Sequence, residues 1–408
     1  MGTRSYRSEC ASPDVRPMTQ ARRGFWTAPD DSLIAAVFLS FLATAGLFYV
    51  NIMAAIVDGL VTGMGISEGQ AGNIGSANIY GAAAGALASV WFVKQAPWRP
   101  LAIASLVGLI LIDVLSMGIT SAQLLLLMRL GHGLIGGFLV GVGFAVIART
   151  SNPDRSFGML LFVQFGLGGL GVLLLPQLVP VYGTPALFLA LAAFSLITLM
   201  MVPFLGAYAP QAAAHGREDD TVLLAPLGFT LLAIFFFQAA NMGLLAFIIR
   251  LGLDYGLERS YVSVALGLAT WVALLGPLAV MILGIKIGRV WPLMIGMAIT
   301  LSGTGFFHLS GQPWAYMLAN CATGITWGMV IAYLLAMTAD FDRAGRLSAL
   351  AGFVSKMGLA SGPVGAGFLL SSNFGFDVLI NAALAILGVS AVIMIYPAAV
   401  LDKSKPAA

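Results

Sequence analysis

Charge is what this chain has least of: Asp, Glu, Lys and Arg make up 9% of its 408 residues, too few to clothe a water-soluble globular protein of that length. Cysteine is almost absent. Cys10 and Cys321 fall in a terminal tail and an apolar segment, which excludes a disulfide framework and leaves no thiolate metal pattern. The three histidines, His132, His215 and His308, stand on separate elements and form no H-E-x-x-H pattern. No phosphate loop of the type G-x-x-x-x-G-K-[ST] occurs. An enzyme, a resident cofactor or metal, and direct ATP drive are therefore not expected. Period-two alternation is missing as well, which argues against a membrane β-barrel.

What the chain has instead is apolar length. Hydrophobic residues make up 59% and the mean hydropathy is +0.95. A helix needs roughly 20 apolar residues to cross a hydrocarbon core of about 30 Å. Twelve such stretches are expected, near 32–60, 69–92, 98–119, 121–147, 157–180 and 184–206, then 222–249, 260–283, 288–309, 313–337, 347–370 and 376–399. The fold class expected is an all-α integral membrane protein of twelve transmembrane helices in two pseudo-symmetric six-helix bundles, 32–206 and 222–399. A disordered tail over 1–31, a linker over 207–221 and a tail over 400–408 complete the expected organisation. Asp31 or Ser32 is placed to cap the first helix.

Basic residues set the orientation. With both termini in the cytoplasm, only Arg250 and Arg259 fall on the outer side and only Arg129 and Lys356 within spans, every other one of the 20 being cytoplasmic. The net charge of +3 thus reflects topology and not nucleic-acid binding. A multi-pass protein of a bacterial inner membrane is expected, monomeric, with lipid, a proton and a small molecule as partners.

The two halves echo each other. Lys94 and Lys286, Pro100 and Pro292, and Gly166 and Gly358 each recur 192 residues apart, and Asp154-Arg155 with Asp342-Arg343 and Phe162-Val163 with Phe353-Val354 recur at nearly that spacing. Because each copy crosses an even number of times, the copies are expected to be related by an axis along the membrane normal.

In the fourth span, Arg129-Leu130-Gly131-His132-Gly133-Leu134-Ile135-Gly136 resembles the R-x-x-Q-G-x-x-A/G signature of the major facilitator superfamily, with His132 in place of the usual glutamine. The superfamily's loop signature survives in part, as Gly85-Ala86-Leu87-Ala88-Ser89 and as Lys286-Ile287-Gly288-Arg289, without the acidic residue in either copy. Most of the exporter pattern G-x-x-x-G-P-x-x-G occurs in the eleventh span, as Gly358, Gly362 and Pro363 with Gly365 one position early, and not in the fifth. The resemblance implies a secondary transporter working by alternating access, with Gly358, Gly362, Pro363, Lys286 and Arg289 as conformational positions.

Ionisable groups inside spans cost about 2.5–3.5 kcal/mol each on insertion scales and call for a role. Asp113 and Arg129 lie at similar depth and are expected to approach, with Asp113 as proton acceptor and Arg129 as its partner. Lys356 is expected in the cavity opposite its repeat equivalent Gln164, or snorkelling towards Asp340. The spans that the resemblance places around a cavity also carry Tyr49, Asn51, His132, Gln238, Asn241, Asn320 and Trp327. Two cations, Arg129 and Lys356, against one carboxylate favour an organic or aromatic acid taken up with a proton. Proton-linked export of drugs or metabolites, and a sensor that moves nothing, are the alternatives.

Overall fold

The computed structural model describes residues 27–30, 32–93, 96–208, 223–283, 288–341 and 348–403. Lys286 and Asp31 lie outside these residues, as do most of both tails and the linker. The described chain is helical: α1 (Leu33–Asn51), α2 (Met53–Met64), α3 (Glu68–Phe92), α4 (Trp98–Ser116), α5 (Ala122–Ile147), α6 (Pro153–Tyr182), α7 (Pro185–Met201), α8 (Leu224–Asp254), α9 (Arg259–Val272), α10 (Leu275–Leu283), α11 (Val290–Phe306), α12 (Pro313–Phe341), α13 (Ser348–Ser371) and α14 (Gly375–Lys403). Helix starts carry the expected chemistry. Ser32 accepts from the Ala35 amide, Ser67 and Gln70 form a capping box, and Ser121 and Asn152 cap α5 and α6.

Among the described residues, eleven helices are long and apolar enough to cross a membrane, α9 and α10 counting as one. The stretch expected at 69–92 is α3, which stands outside the eleven. Its composition is rich in Gly, Ala, Ser and Asn, and the packing explains why. Gly81 and Gly85 of α3 press on the backbone of α5, Gly133 and Gly137 of α5 press back on α3, and Gly72 meets the Pro363 carbonyl of α13, with no room for a Cβ at any of them. A helix clasped by protein at backbone distance needs small residues more than lipid-soluble ones.

Two expected spans are each broken once. The first breaks at Ile52 (φ −108°, ψ 20°) between α1 and α2. The eighth breaks after Ala273, where Pro277 has no N–H to give to the Ala273 carbonyl. Irregular backbone at membrane depth is tolerated where it lines a cavity, and Asn51, Ala54 and Ala273 do line one.

Helices α1 to α7 pack chiefly among themselves, as do α8 to α14, and the two sets meet along α3 with α13, α6 with α9, and α2 with α8. The helix ends form two faces. The terminal face holds Ser32 and Lys403 and is tied by Arg99 to the Leu205 carbonyl and by Arg149 to the carbonyls of Val93 and Tyr208. The opposite face, here the far face, holds Met64, Glu68, Arg259 and Ser371.

Candidate functional site

Polar side chains are scarce enough in these helices that their convergence is informative. Between α1, α2, α6, α8, α9, α12 and α13 lies a cavity of about 280 Å³ whose wall includes Asn51, Gln164, Gln238, Asn241, Asn320 and Trp327. All six were expected there from the sequence. Thr270 and Thr323 were not, because threonine in a helix commonly bonds its own backbone, as both do here. The remaining wall is apolar, with Val50, Phe165, Leu245, Ile248 and Leu359 among its members, and it contains no Asp, Glu, Lys or Arg.

The hydrogen bonds of these groups determine what the cavity offers. Gln164 Nε2 donates to Asn51 Oδ1 at 2.9 Å, which joins α6 to α1. Trp327 Nε1 donates to Gln238 Oε1 at 2.6 Å, and Gln238 Nε2 donates to Ser355 Oγ at 2.8 Å, which joins α12, α8 and α13. Asn241 and Asn320 each spend an amide N–H on a carbonyl four residues back, of Phe237 and Tyr316, both at 2.8 Å. Each therefore keeps its side-chain oxygen as the group free to accept from a solute. A neutral wall with amide acceptors suits a solute that donates N–H or O–H from a largely apolar body.

Tyr49, Arg129 and His132 were expected at this cavity and lie elsewhere. Tyr49 precedes Asn51 by two positions, about 200° around the helix, so it faces away from the cavity side. Arg129 and His132, three residues apart, share the face of α5 that meets α3 and α4. There Arg129 Nη1 donates to Asp113 Oδ1 at 2.7 Å, and its Nη2 donates to Ser116 Oγ. The expected approach of Asp113 and Arg129 is thus a direct ion pair, both side chains being 0% exposed. His132 Nε2 lies 3.3 Å from Asp113 Oδ2, and Asn78 Nδ2 lies 2.8 Å from His132 Nδ1. The Tyr49 ring packs against His132 at 5.8 Å, and the Arg129 guanidinium lies 4.8 Å from the Phe188 ring centre.

Lys356 lines a second cavity of about 420 Å³ with Leu47, Ala83, Leu87, Ser89, Val140 and Phe144. It is separated from the first by one helical turn: Leu47 and Lys356 line the second, Val50 and Leu359 the first, three residues further along the same two helices. Asp340, the expected snorkelling partner of Lys356, is instead bound by Arg289. The Arg289 and Val290 amides donate to the Asp402 carboxylate at 2.8–3.0 Å. The acidic residue missing from the loop signature is thus supplied from α12 and α14. Gly358 and Gly362 pack on the backbone of α8 without room for a Cβ, and Pro363 lies within α13 beside them.

Four charged residues of the far face were not singled out. Arg259 pairs with Asp58, and Arg250 with Glu68 at 3.0 Å, each pair joining the first set of helices to the second. The signal was available: Arg250 and Arg259 are the only basic residues assigned to that side. Among the described residues, no three His, Cys, Asp or Glu side chains group as a metal site.

Neither a protein-family model nor a curated protein matches the sequence. Solved structures do match in shape. A bacterial homolog of the human lysosomal transporter Spinster, in an inward-facing and unoccupied conformation, superimposes with a TM-score of 0.64 at 14% identity, over 93% of this chain and 100% of that one. A point mutant of the nucleoside transporter NupG gives 0.68 at 14% identity, over 90% and 98%. At such identity the likeness is one of fold: the chain has the fold of these two transporters.

Proposed function

We propose that the chain is a secondary transporter that carries a small, mainly apolar solute bearing N–H or O–H donors, by alternating access coupled to a proton. The observation that carries this reading is the cavity wall itself, built from both sets of helices and furnished with amides that no charge accompanies. Its volume, about 280 Å³, is at the small end of ligand sites and calls for a compact solute.

In this reading α3 is the twelfth crossing, and 32–206 and 222–399 are two six-helix bundles that rock about the cavity. The termini are cytoplasmic, the far face is outward, and the membrane is a bacterial inner membrane. The ion pairs Asp58–Arg259 and Glu68–Arg250 then close the outer end while the second cavity continues the path inward. A proton moving down a membrane potential contributes about 2.3 kcal/mol per 100 mV, which is enough to drive accumulation of a neutral solute.

An acid remains the second reading, supported by Lys356 alone. The expectation of an acid rested on two cavity cations. Arg129 is bound to Asp113, and Lys356 is one turn away from the amides, so only an acid long enough to reach from one cavity to the next would use it. Thermal-shift screening against neutral amides, alcohols and heterocycles beside a panel of carboxylates separates the two. Stabilisation by neutral donors that is lost in Asn241→Leu supports the first. Stabilisation by carboxylates alone, lost in Lys356→Ala, replaces it with the second. Uptake in right-side-out against inside-out vesicles under an imposed pH gradient distinguishes import from export, and a protein that moves nothing in either would be the sensor.

A further inference from the structure

His132 stands where the resembling signature carries glutamine, and it is enclosed: its exposure is 3%, that of Asn78 2%, Tyr49 1%, Asp113 0% and Arg129 0%. The hydrogen bonds assign its tautomer. Asn78 Nδ2 donates to the Arg129 carbonyl at 3.2 Å, and a carbonyl only accepts, so that atom is the amide nitrogen. The same nitrogen lies 2.8 Å from His132 Nδ1. Nδ1 is therefore an acceptor, and the neutral ring carries its hydrogen on Nε2, facing Asp113 Oδ2. That oxygen is buried and has no hydrogen-bond partner, the 3.3 Å approach of Nε2 lying off the hydrogen-bonding direction. The cluster thus holds a carboxylate oxygen that is near an imidazole and not yet used by it.

We propose that His132 is the proton-binding residue of this cluster and that protonation of its Nδ1 loosens α3 against α5 by breaking the Asn78 bond to the Arg129 carbonyl. The proton comes from water and takes the Nδ1 lone pair, no bond breaks, and the side-chain charge of Asp113, Arg129 and His132 rises from zero to +1. Two consequences follow from the contacts. The new Nδ1–H points at an N–H of Asn78, so two donors face each other at hydrogen-bond distance, and the Asn78 amide must turn its oxygen to the ring, giving up the Arg129 carbonyl. The imidazolium is answered on its other side by Asp113 Oδ2, while Oδ1 stays with Arg129. The groups facing His132 are Asn78 from α3, Asp113 from α4, Arg129 from α5 and the Tyr49 ring from α1, so Asp113 and Arg129 are the charges that act on it.

This loosening matters because of what α3 touches. Two residues beyond Asn78, Tyr80 hydrogen-bonds Ser361 of α13 at 3.0 Å, and at the far face of the same helix Glu68 holds Arg250. Helix α3 is therefore the element through which a proton at His132 reaches the closure of the far face. The central cavity is close, since Tyr49 faces the cluster while Val50 and Asn51 line the cavity.

The inference rests on the proton-coupled reading, but its test needs no solute. The full chain, with Cys10 and Cys321 replaced by serine, receives spin labels at Gly69→Cys and Ser371→Cys, and the distance between them is followed from pH 5 to 9. Nitrogen NMR of the three histidines, assigned by substitution, reports the tautomer. The expected result is an Nε2–H ring at high pH and a label distance that lengthens as His132 gains its second proton, with no such response in His132→Gln. In Asn78→Asp the carboxylate accepts from Nδ1–H and keeps α3 bonded to α5, so the label distance should stay short across the same range, which keeps the test available if His132→Gln does not fold. An Nδ1–H tautomer, or an unchanged label response in either His132→Gln or Asn78→Asp, would overturn the proposal. Solute uptake indifferent to pH alongside a His132-dependent label response would instead count against proton coupling and leave the His132 switch standing.

Discussion

Asp58 and Arg259 meet across the two sets of helices at the far face, the carboxylate 1% exposed and the guanidinium 24%. Asp58 also accepts from Thr62 at 3.5 Å, one turn further along α2. A buried carboxylate that loses its cation is left uncompensated, which makes this pair a clasp and not a surface ornament. Asp58→Lys is expected to open the far face, read as faster labelling of a cysteine placed at Asn51 by an impermeant thiol reagent added outside. Combining it with Arg259→Asp should restore slow labelling, and failure of the swap to restore it would argue against the clasp.

The cavity amides should govern affinity. Replacing Asn241 or Asn320 by Leu removes an acceptor worth about 1 kcal/mol, so roughly a five- to tenfold rise in the transport KM is expected, with little change in kcat. Lys356→Ala should leave KM for a neutral solute within about twofold. A large effect of Lys356 together with none of either asparagine would favour the acid reading.

Close helix contact is tested by two neighbouring glycines of α13. A Cβ at Gly362 would collide with the Ala239 carbonyl and Gly243 of α8, whereas one at Gly365 meets nothing within 4 Å. Gly362→Ala should cost about 1–3 kcal/mol and lower Tm by several degrees. Gly365→Ala should leave Tm unchanged within error.

The far face carries one pH-sensitive tie outside the spans. Burial, and after it the hydrogen bond to Asp377 at 2.6 Å, raises the Tyr255 hydroxyl above the ordinary tyrosine value. A raised value means that the neutral hydroxyl is favoured by folding. Its contribution is present below about pH 10 and is lost as pH climbs through the raised value. Tyr255→Phe should therefore lower Tm at neutral pH and flatten the alkaline fall of Tm with pH. A steeper alkaline fall in the variant would contradict this.

How much of this was legible in the sequence differs between fold and site. Apolar length gave the helices, including α3, whose Gly and Ala content hides it from a strict hydropathy criterion because protein and not lipid surrounds it. Hydropathy could not show the breaks at Ile52 and Ala273, since a kink leaves composition unchanged. The six amide and indole residues of the cavity were found because polar groups at membrane depth are rare. Tyr49, Arg129 and His132 were expected on the cavity and face other helices, and Lys356 lies one turn away from it, because which way a side chain faces depends on neighbouring helices that residue number does not report. Asp58 and Glu68 escaped notice for the opposite reason: at span ends a carboxylate reads as solvated, and only the fold brings Arg259 and Arg250 to them.

The central claim, that the two sets of helices must part at the far face for transport, is tested most directly by tying them there. A Cβ on Gly69 would lie 3.3 Å from the Ser371 Cβ, close to the roughly 3.5–4.5 Å of a disulfide. In the Cys10→Ser/Cys321→Ser background, Gly69→Cys/Ser371→Cys should bind solute but not carry it when oxidised, and should regain uptake on reduction. Full uptake by the oxidised, demonstrably cross-linked protein would contradict alternating access through this face.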